Sequence, residues 1–164
     1  MPLLIDGYNL LHASGVLPSR AGPATFERAR GALLAFLAQS LTDKERSSAV
    51  IVFDAANSPH GVPDRYHFEG ISVRFARGYA TADDLLAELI DDHSSARQLT
   101  VVSSDHQVQR AARRRRAKPI DSDEWMRELV QRKRSGESTV DDAKPQAPPS
   151  PAEVQQWLRE FGES

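Results

Sequence analysis

The 164-residue sequence contains no cysteine. That absence removes disulfides, thiolate metal sites and cysteine nucleophiles together, and it suits an intracellular, reducing compartment. Long apolar runs are also missing. The opening MPLLIDGYNL has no basic start and meets the acidic Asp6 after a short apolar stretch. Neither a secretory signal nor a membrane span is therefore expected, there or further along. The five histidines (His12, His60, His67, His93 and His106) lack metal-ligand spacing. Together these absences describe a cytoplasmic protein without membrane contact, long enough for one domain with a real core.

Charge is present, and it is segregated. Residues 1–134 hold 19 Lys/Arg and 17 Asp/Glu, a net +2, whereas residues 135–164 hold 2 and 6, a net −4. Arg110 to Lys118 (RAARRRRAK) carries six positive charges and no negative one. A local basic stripe beside clustered carboxylates says more about partners than the overall balance does.

Apolar patterning gives the architecture. Leu3 to Ile5, Ala49 to Phe53, Ile71 to Phe75, Leu99 to Val102 and Lys118 to Ile120 read as strands, several of them ending on an aspartate or a turn. Asp6-Gly7 reads as a turn and residues 57–64, with Pro59, Gly61 and Pro63, as a loop. Helices are expected from about Thr25 to Leu41, Leu85 to His93, through the arginine-rich run, and from Glu124 to Arg134. Thr81 stands three residues before Asp84, at capping-box spacing. Strands separated by helices predict a three-layer α/β domain with a mostly parallel sheet.

The composition changes after Arg134. Residues 135–150 are rich in proline and read as a flexible linker, and residues 151–164 as a short amphipathic helix. Val154, Trp157, Leu158 and Phe161 fall on one face of that helix, which is expected to dock on its own domain or on a protein partner.

Ligands of an open parallel sheet bind outside the carboxyl ends of the strands. Asp6, Asp54 and Asp105 lie there by this reading, and Asp83 and Asp84 open a helix on the same edge. Converging acids repel unless a cation neutralises them, and oxygen-only ligands favour Mg²⁺ or Mn²⁺. Each acid alone also has a structural role open to it: helix-dipole partners for Asp83 and Asp84, an N-cap for Asp105, a turn for Asp6.

Ile5-Asp6-Gly7-Tyr8-Asn9-Leu10-Leu11, Val52-Phe53-Asp54-Ala55, Thr81-Ala82-Asp83-Asp84 and Ser103-Ser104-Asp105 follow one another over about the first 130 residues. This set resembles NYN domains, a branch of the PIN-like nucleases, and within them the YacP-like group. The resemblance implies a Rossmann-like PIN/NYN fold and a Mg²⁺-dependent (or Mn²⁺-dependent) endoribonuclease. Asp6, Asp83 and Asp105 match the acidic catalytic core, with Asp54 and Asp84 as further metal ligands. Asp84 stands where the family often has glutamate. Asn9 matches the asparagine of the opening motif, and Ser104 is a candidate to orient Asp105 or a metal-bound water.

RNA is the implied partner. Arg110, Arg113, Arg114 and Arg116 are candidates to hold its phosphates, although four consecutive arginines cannot share one helix face. Tyr8, Tyr66, Phe68 and Tyr79 are candidates for base stacking or for the core. Messenger RNA at the ribosome, rRNA, tRNA and free RNA all stay open as targets. A receiver domain is excluded: Met1 to Asp54 has room for one long helix only, and no acidic pair follows the first strand. The alternative is a non-catalytic RNA-binding or ribosome-associated adaptor on the same fold.

Overall fold

Runs of branched apolar residues become the centre of a sheet. In the computed structural model, which describes residues 2–15, 23–55 and 63–137, the strands are β1 (Leu3–Asp6), β2 (Ala49–Phe53), β3 (Arg65–Phe68), β4 (Ile71–Phe75), β5 (Thr100–Val102) and β6 (Lys118–Ile120). They form one sheet in the order β3-β4-β2-β1-β5-β6. All neighbours are parallel except β3, which runs antiparallel to β4. Leu3 stands opposite both Ala49 and Thr100, which puts β1 at the middle.

Helices α1 (Gly7–Ser14), α2 (Pro23–Ser40), α3 (Asp43–Ser47), α4 (Ala82–Asp92), α5 (His106–Arg114) and α6 (Ser122–Glu137) complete the fold. Alternation along the strands builds two cores. Leu3, Ile5, Ile51 and Val102 pack with Leu10, Leu33, Phe36 and Met126 on one face. Leu4, Val52 and Val101 pack with Leu85, Leu86, Ile90 and Val108 on the other. The expected three layers are α1, α2 and α6, then the sheet, then α4 and α5.

Three elements depart from the sequence reading. Asp6-Gly7 is not a turn: β1 passes directly into α1, and the Asp6 carboxylate caps the helix by accepting the Asn9 N–H at 3.2 Å. Glycine is needed at position 7 because a Cβ there would stand 2.5 Å from the Phe53 ring and 2.8 Å from the Val52 carbonyl oxygen. Arg65–Phe68, beyond the expected loop, is a strand. It joins β4 through Glu69 and Gly70, both at positive φ (49° and 90°), the pair of conformations that a tight two-residue hairpin requires. Helix α3 is held by a full capping box between Thr42 and Glu45.

Other boundaries move by a turn or less. Helix α4 starts at Ala82 with Thr81 as its cap, and α6 runs from Ser122 to Glu137, past the expected boundary at residue 134. The linker at 135–150 and the helix at 151–164 fall, beyond Glu137, outside the described residues. Among the described residues no helix is long and apolar enough to cross a membrane.

Candidate active site

Parallel pairing brings the carboxyl ends of β1, β2 and β5 to one edge of the sheet. Asp6 ends β1, Asp54 follows β2, Asp105 caps α5 just after β5, and Asp83 lies in the first turn of α4. These four carboxylates, with Tyr8, Asn9 and Thr81, line a single hollow of about 280 Å³. The strand-edge rule thus places residues 99 positions apart in sequence around one space.

The acids are held to different degrees. Asp6 is only 1% exposed. One of its oxygens takes the Asn9 N–H, and the other takes the Ser103 hydroxyl at 2.9 Å. Ser103 Oγ in turn accepts the Asp105 N–H at 3.1 Å, so one buried hydroxyl links the two strand-end acids. Asp105 Oδ1 accepts the N–H groups of Gln107 (2.8 Å) and Val108 (3.2 Å), and its second oxygen takes no part in the cap. The Asn9 side chain also bonds Asp6, while its Oδ1 accepts the Ser104 N–H at 3.0 Å.

Burial raises the pKa of Asp6, and the charge of Asp105 raises it further, against the hydrogen bonds from Asn9 and Ser103 that lower it. Asp83 is pushed up to about 6, first by burial and then by the charges of Asp105, Asp6 and Asp84. Among the described residues no cationic side chain offsets either shift. Around Asp6 and Asp83 the hollow therefore gathers negative charge on hard oxygen donors.

That chemistry fits a divalent cation such as Mg²⁺ or Mn²⁺. Asp6, Asp83 and Asp105, with Asp54, are the residues that would hold it. Among the described residues no three acids or histidines already converge on one point as ligands. The acids feel one another across the hollow, and closing on an ion takes movement of their side chains.

Asp84, the fifth candidate ligand, lies exposed outside the lining of the hollow, although its charge reaches Asp83. Ser104 does not orient Asp105. Its hydroxyl donates to Asp121 Oδ1 at 3.2 Å and accepts the Ser122 N–H, tying the β5–α5 loop to the start of α6. Its neighbour Ser103 is the serine that holds the Asp6 carboxylate and the Asp105 main chain, and its place two residues before a capping aspartate was the available signal. His106 is the exposed first residue of α5.

The arginine run divides by role. Arg110, Arg113, Arg114 and Arg116 are exposed. Arg115 instead reaches back to the end of α4, donating to the carbonyls of Ile90 (3.5 Å) and His93 (2.7 Å), where a cation suits the helix dipole. Arg116 takes the left-handed position after α5 (φ 61°), which glycine usually fills, and the Ala117 N–H closes the turn on the Ala112 carbonyl. Of the other candidate aromatics, Tyr66, Phe68 and Tyr79 are partly buried against the two cores.

Comparisons with known proteins bear on the fold and the family. No curated protein matches the sequence. A crystal structure of Rae1 (YacP) from Bacillus subtilis is 30% identical with a TM-score of 0.63, covering 84% of this chain and 78% of that one. A crystal structure of a tryptophan-to-leucine mutant of Rae1 (YacP) from Bacillus subtilis is 27% identical with a TM-score of 0.62, covering 96% of this chain and 92% of that one. The model of the YacP-like NYN domain matches residues 3–160, past the 130 or so residues that carry the motifs. The family model spans nearly the whole chain, and the chain belongs to the YacP-like NYN domain family, which gives it a nuclease-type, RNA-related function of the hydrolase class.

Proposed function

We propose that the protein is a metal-dependent endoribonuclease that hydrolyses RNA phosphodiester bonds in the hollow of Asp6, Asp54, Asp83 and Asp105. One observation carries the reading: four carboxylates from four separate stretches of the chain line one space, and among the described residues no cation offsets the raised pKa of Asp6 or Asp83. Family membership supports it. When bound, Mg²⁺ or Mn²⁺ would supply an activated water and neutralise charge on the scissile phosphate.

The chain's own residues set up that chemistry. Ser103 and Asn9 fix the Asp6 carboxylate, which leaves it little freedom to reorganise during reaction. Asp83, with its pKa raised to about 6, hydrogen-bonds Asp105 and can share a proton with it at mildly acid pH. Arg110, Arg113 and Arg114, exposed along α5, contact phosphates and set affinity without reading bases. The target extends to mRNA at the ribosome in this proposal, and the protein works in the cytoplasm.

The test is cleavage of an end-labelled RNA by the full chain in Mg²⁺, in Mn²⁺ and in EDTA. Internal cuts in either metal that vanish in EDTA and with Asp6→Asn protein are expected. Binding without any cutting would favour the non-catalytic adaptor.

A further inference from the structure

Tyr8 is the only large hydrophobic side chain exposed among the described residues, at 41%. It stands on the first turn of α1, directly beside the four acids, and lines the same hollow. The ring is not loose. Phe26 lies nearly parallel to it, 16° between planes and 6.2 Å between centroids. His12, one helical turn on, meets it edge-on at 4.5 Å. Beyond this ridge a second hollow of about 340 Å³ opens, lined by Asn9, His12, Ala13, Ser104 and Asp123. Tyr8, Asn9 and His12 thus form a ridge between an acidic hollow and a polar one.

We propose that Tyr8, braced by Phe26 and His12, is a platform on which a nucleobase next to the scissile phosphate stacks. This rests on the nuclease reading above and adds to it a positioning residue. An aromatic ring left in water beside a catalytic hollow has an apolar face to cover, and every nucleobase has a π-face to cover it. The surroundings favour a base over other partners. Until a cation is bound, Asp6, Asp83 and Asp105 disfavour phosphate in the hollow, and a stacked base is an anchor beside it that carries no charge. The cations of α5 begin to gather only at Arg110, Arg113 and Arg114, about 7–13 Å along the helix from the acidic end, at 1.5 Å per residue. Phosphates are held there, and a stacked base holds the register at the cut. The polar hollow beyond Asn9 leaves room for the base's hydrogen-bonding edge.

The experiment uses the full chain in EDTA, where the strand stays intact, and a set of RNA oligonucleotides each with one abasic position. Against wild-type protein, one abasic position is expected to weaken binding about tenfold, within the range base–aromatic stacking gives. Tyr8→Ala is expected to weaken binding of the intact RNA by the same factor, with no further loss for the abasic RNA. Tyr8→Phe, which keeps the ring, is expected to bind as wild type. A 2-aminopurine at that position should be quenched on binding to wild type and Tyr8→Phe, and not to Tyr8→Ala. Equal losses for intact and abasic RNA in Tyr8→Ala would mean that the ring only packs against Phe26, and would overturn the proposal. So would an unchanged affinity in Tyr8→Ala. If RNA is cut in Mg²⁺ while either result holds, the platform alone fails; if wild type neither binds nor cuts RNA, the nuclease reading fails with it.

Discussion

Two strands of this sheet lead into aspartate-capped helices, β1 directly through its last residue Asp6 and β5 after a short loop ending at Asp105, and the two junctions are built to different tolerances. At β1–α1 both oxygens of Asp6 are engaged, the residue is buried, and Gly7 admits no side chain. At β5–α5 Asp105 uses one oxygen for the cap, is half-buried, and is followed by the exposed His106. The first junction is rigid and fixes position. The second ties down only one carboxylate oxygen through the cap, and its carboxyl group hydrogen-bonds Asp83 across the hollow. A cap and a functional carboxylate are thus compatible in one residue, provided the cap uses only half of it.

The contrast is testable, beginning with the largest effect. Asp6→Asn, Asp83→Asn and Asp105→Asn should each lower kcat for RNA cleavage by at least about a hundredfold, the scale of losing a preorganised electrostatic group. Because they act as a unit, a double variant should be little worse than a single one. Steady-state kinetics would show additive losses if the acids worked independently.

The next contrast concerns stability. Gly7→Ala drives a Cβ into the Phe53 ring and the Val52 carbonyl and should cost about 1–3 kcal/mol. The matching change after the other cap, His106→Ala, should stay within about 0.5 kcal/mol. Urea unfolding of both variants measures the difference.

Ser103 joins the junctions, and its removal tests whether they are coupled. Ser103→Ala strands one oxygen of buried Asp6 and the N–H of Asp105, at a cost of about 1–3 kcal/mol. It should lower cleavage as well, because it frees Asp6, and Ser104→Ala should lower cleavage less. A cleavage assay that ranked the two serines the other way would uncouple Ser103 from the site.

A smaller effect follows from protonation. Asp83 (about 6, against an ordinary 3.8) and Asp6 both bind protons more tightly folded than unfolded. From about pH 4 to pH 6 the folded state therefore holds the more protons, and stability falls as pH rises through that window. In EDTA the melting temperature should be higher at pH 5 than at pH 7, and Asp83→Asn should flatten the difference. Mg²⁺ at pH 7 should restore it by mass action. Thermal melts in the two buffers decide.

The smallest effect separates the helices themselves. Helix α5 carries exposed Arg113 and Arg114 in its last turn, whereas α1 has only His12 there. Arg113→Ala with Arg114→Ala should reduce the salt dependence of log K by about 0.7 per lost contact with a single strand, and equally for unrelated sequences. Titrations at several salt concentrations read it directly.

The comparison also shows where sequence was a good guide. Apolar runs ending on Asp6, Asp54 and Ser103-Ser104-Asp105 announced both the sheet and the edge where the acids meet, because strand burial and strand ends leave local marks. Thr81 announced α4 in the same way. Helix α1 was hidden because a Gly after an Asp also looks like a turn, and only its contact with Phe53 shows why glycine is there. Strand β3 was hidden because four residues with an exposed face, adjoining a proline-rich stretch, carry little apolar signal. Its Glu69-Gly70 turn was the readable clue. The choice of Ser103 over Ser104 depends on which hydroxyl faces the β1 end, and two adjacent serines look alike until the strand fixes their sides.

The order of the sheet has one more consequence, for how these molecules treat each other. An outer strand with free N–H and carbonyl groups invites a neighbour's strand to add on. Here one margin is β6, three residues long with Pro119 at its centre, which has no N–H to offer. The opposite margin is β3, where Arg65 and His67 stand exposed on a four-residue strand that ends in a tight turn. Each border discourages a seventh strand by its own means, one by geometry and the other by charge and brevity. Among the described residues, both borders of the sheet are thus poor templates for edge-to-edge growth from one molecule to the next.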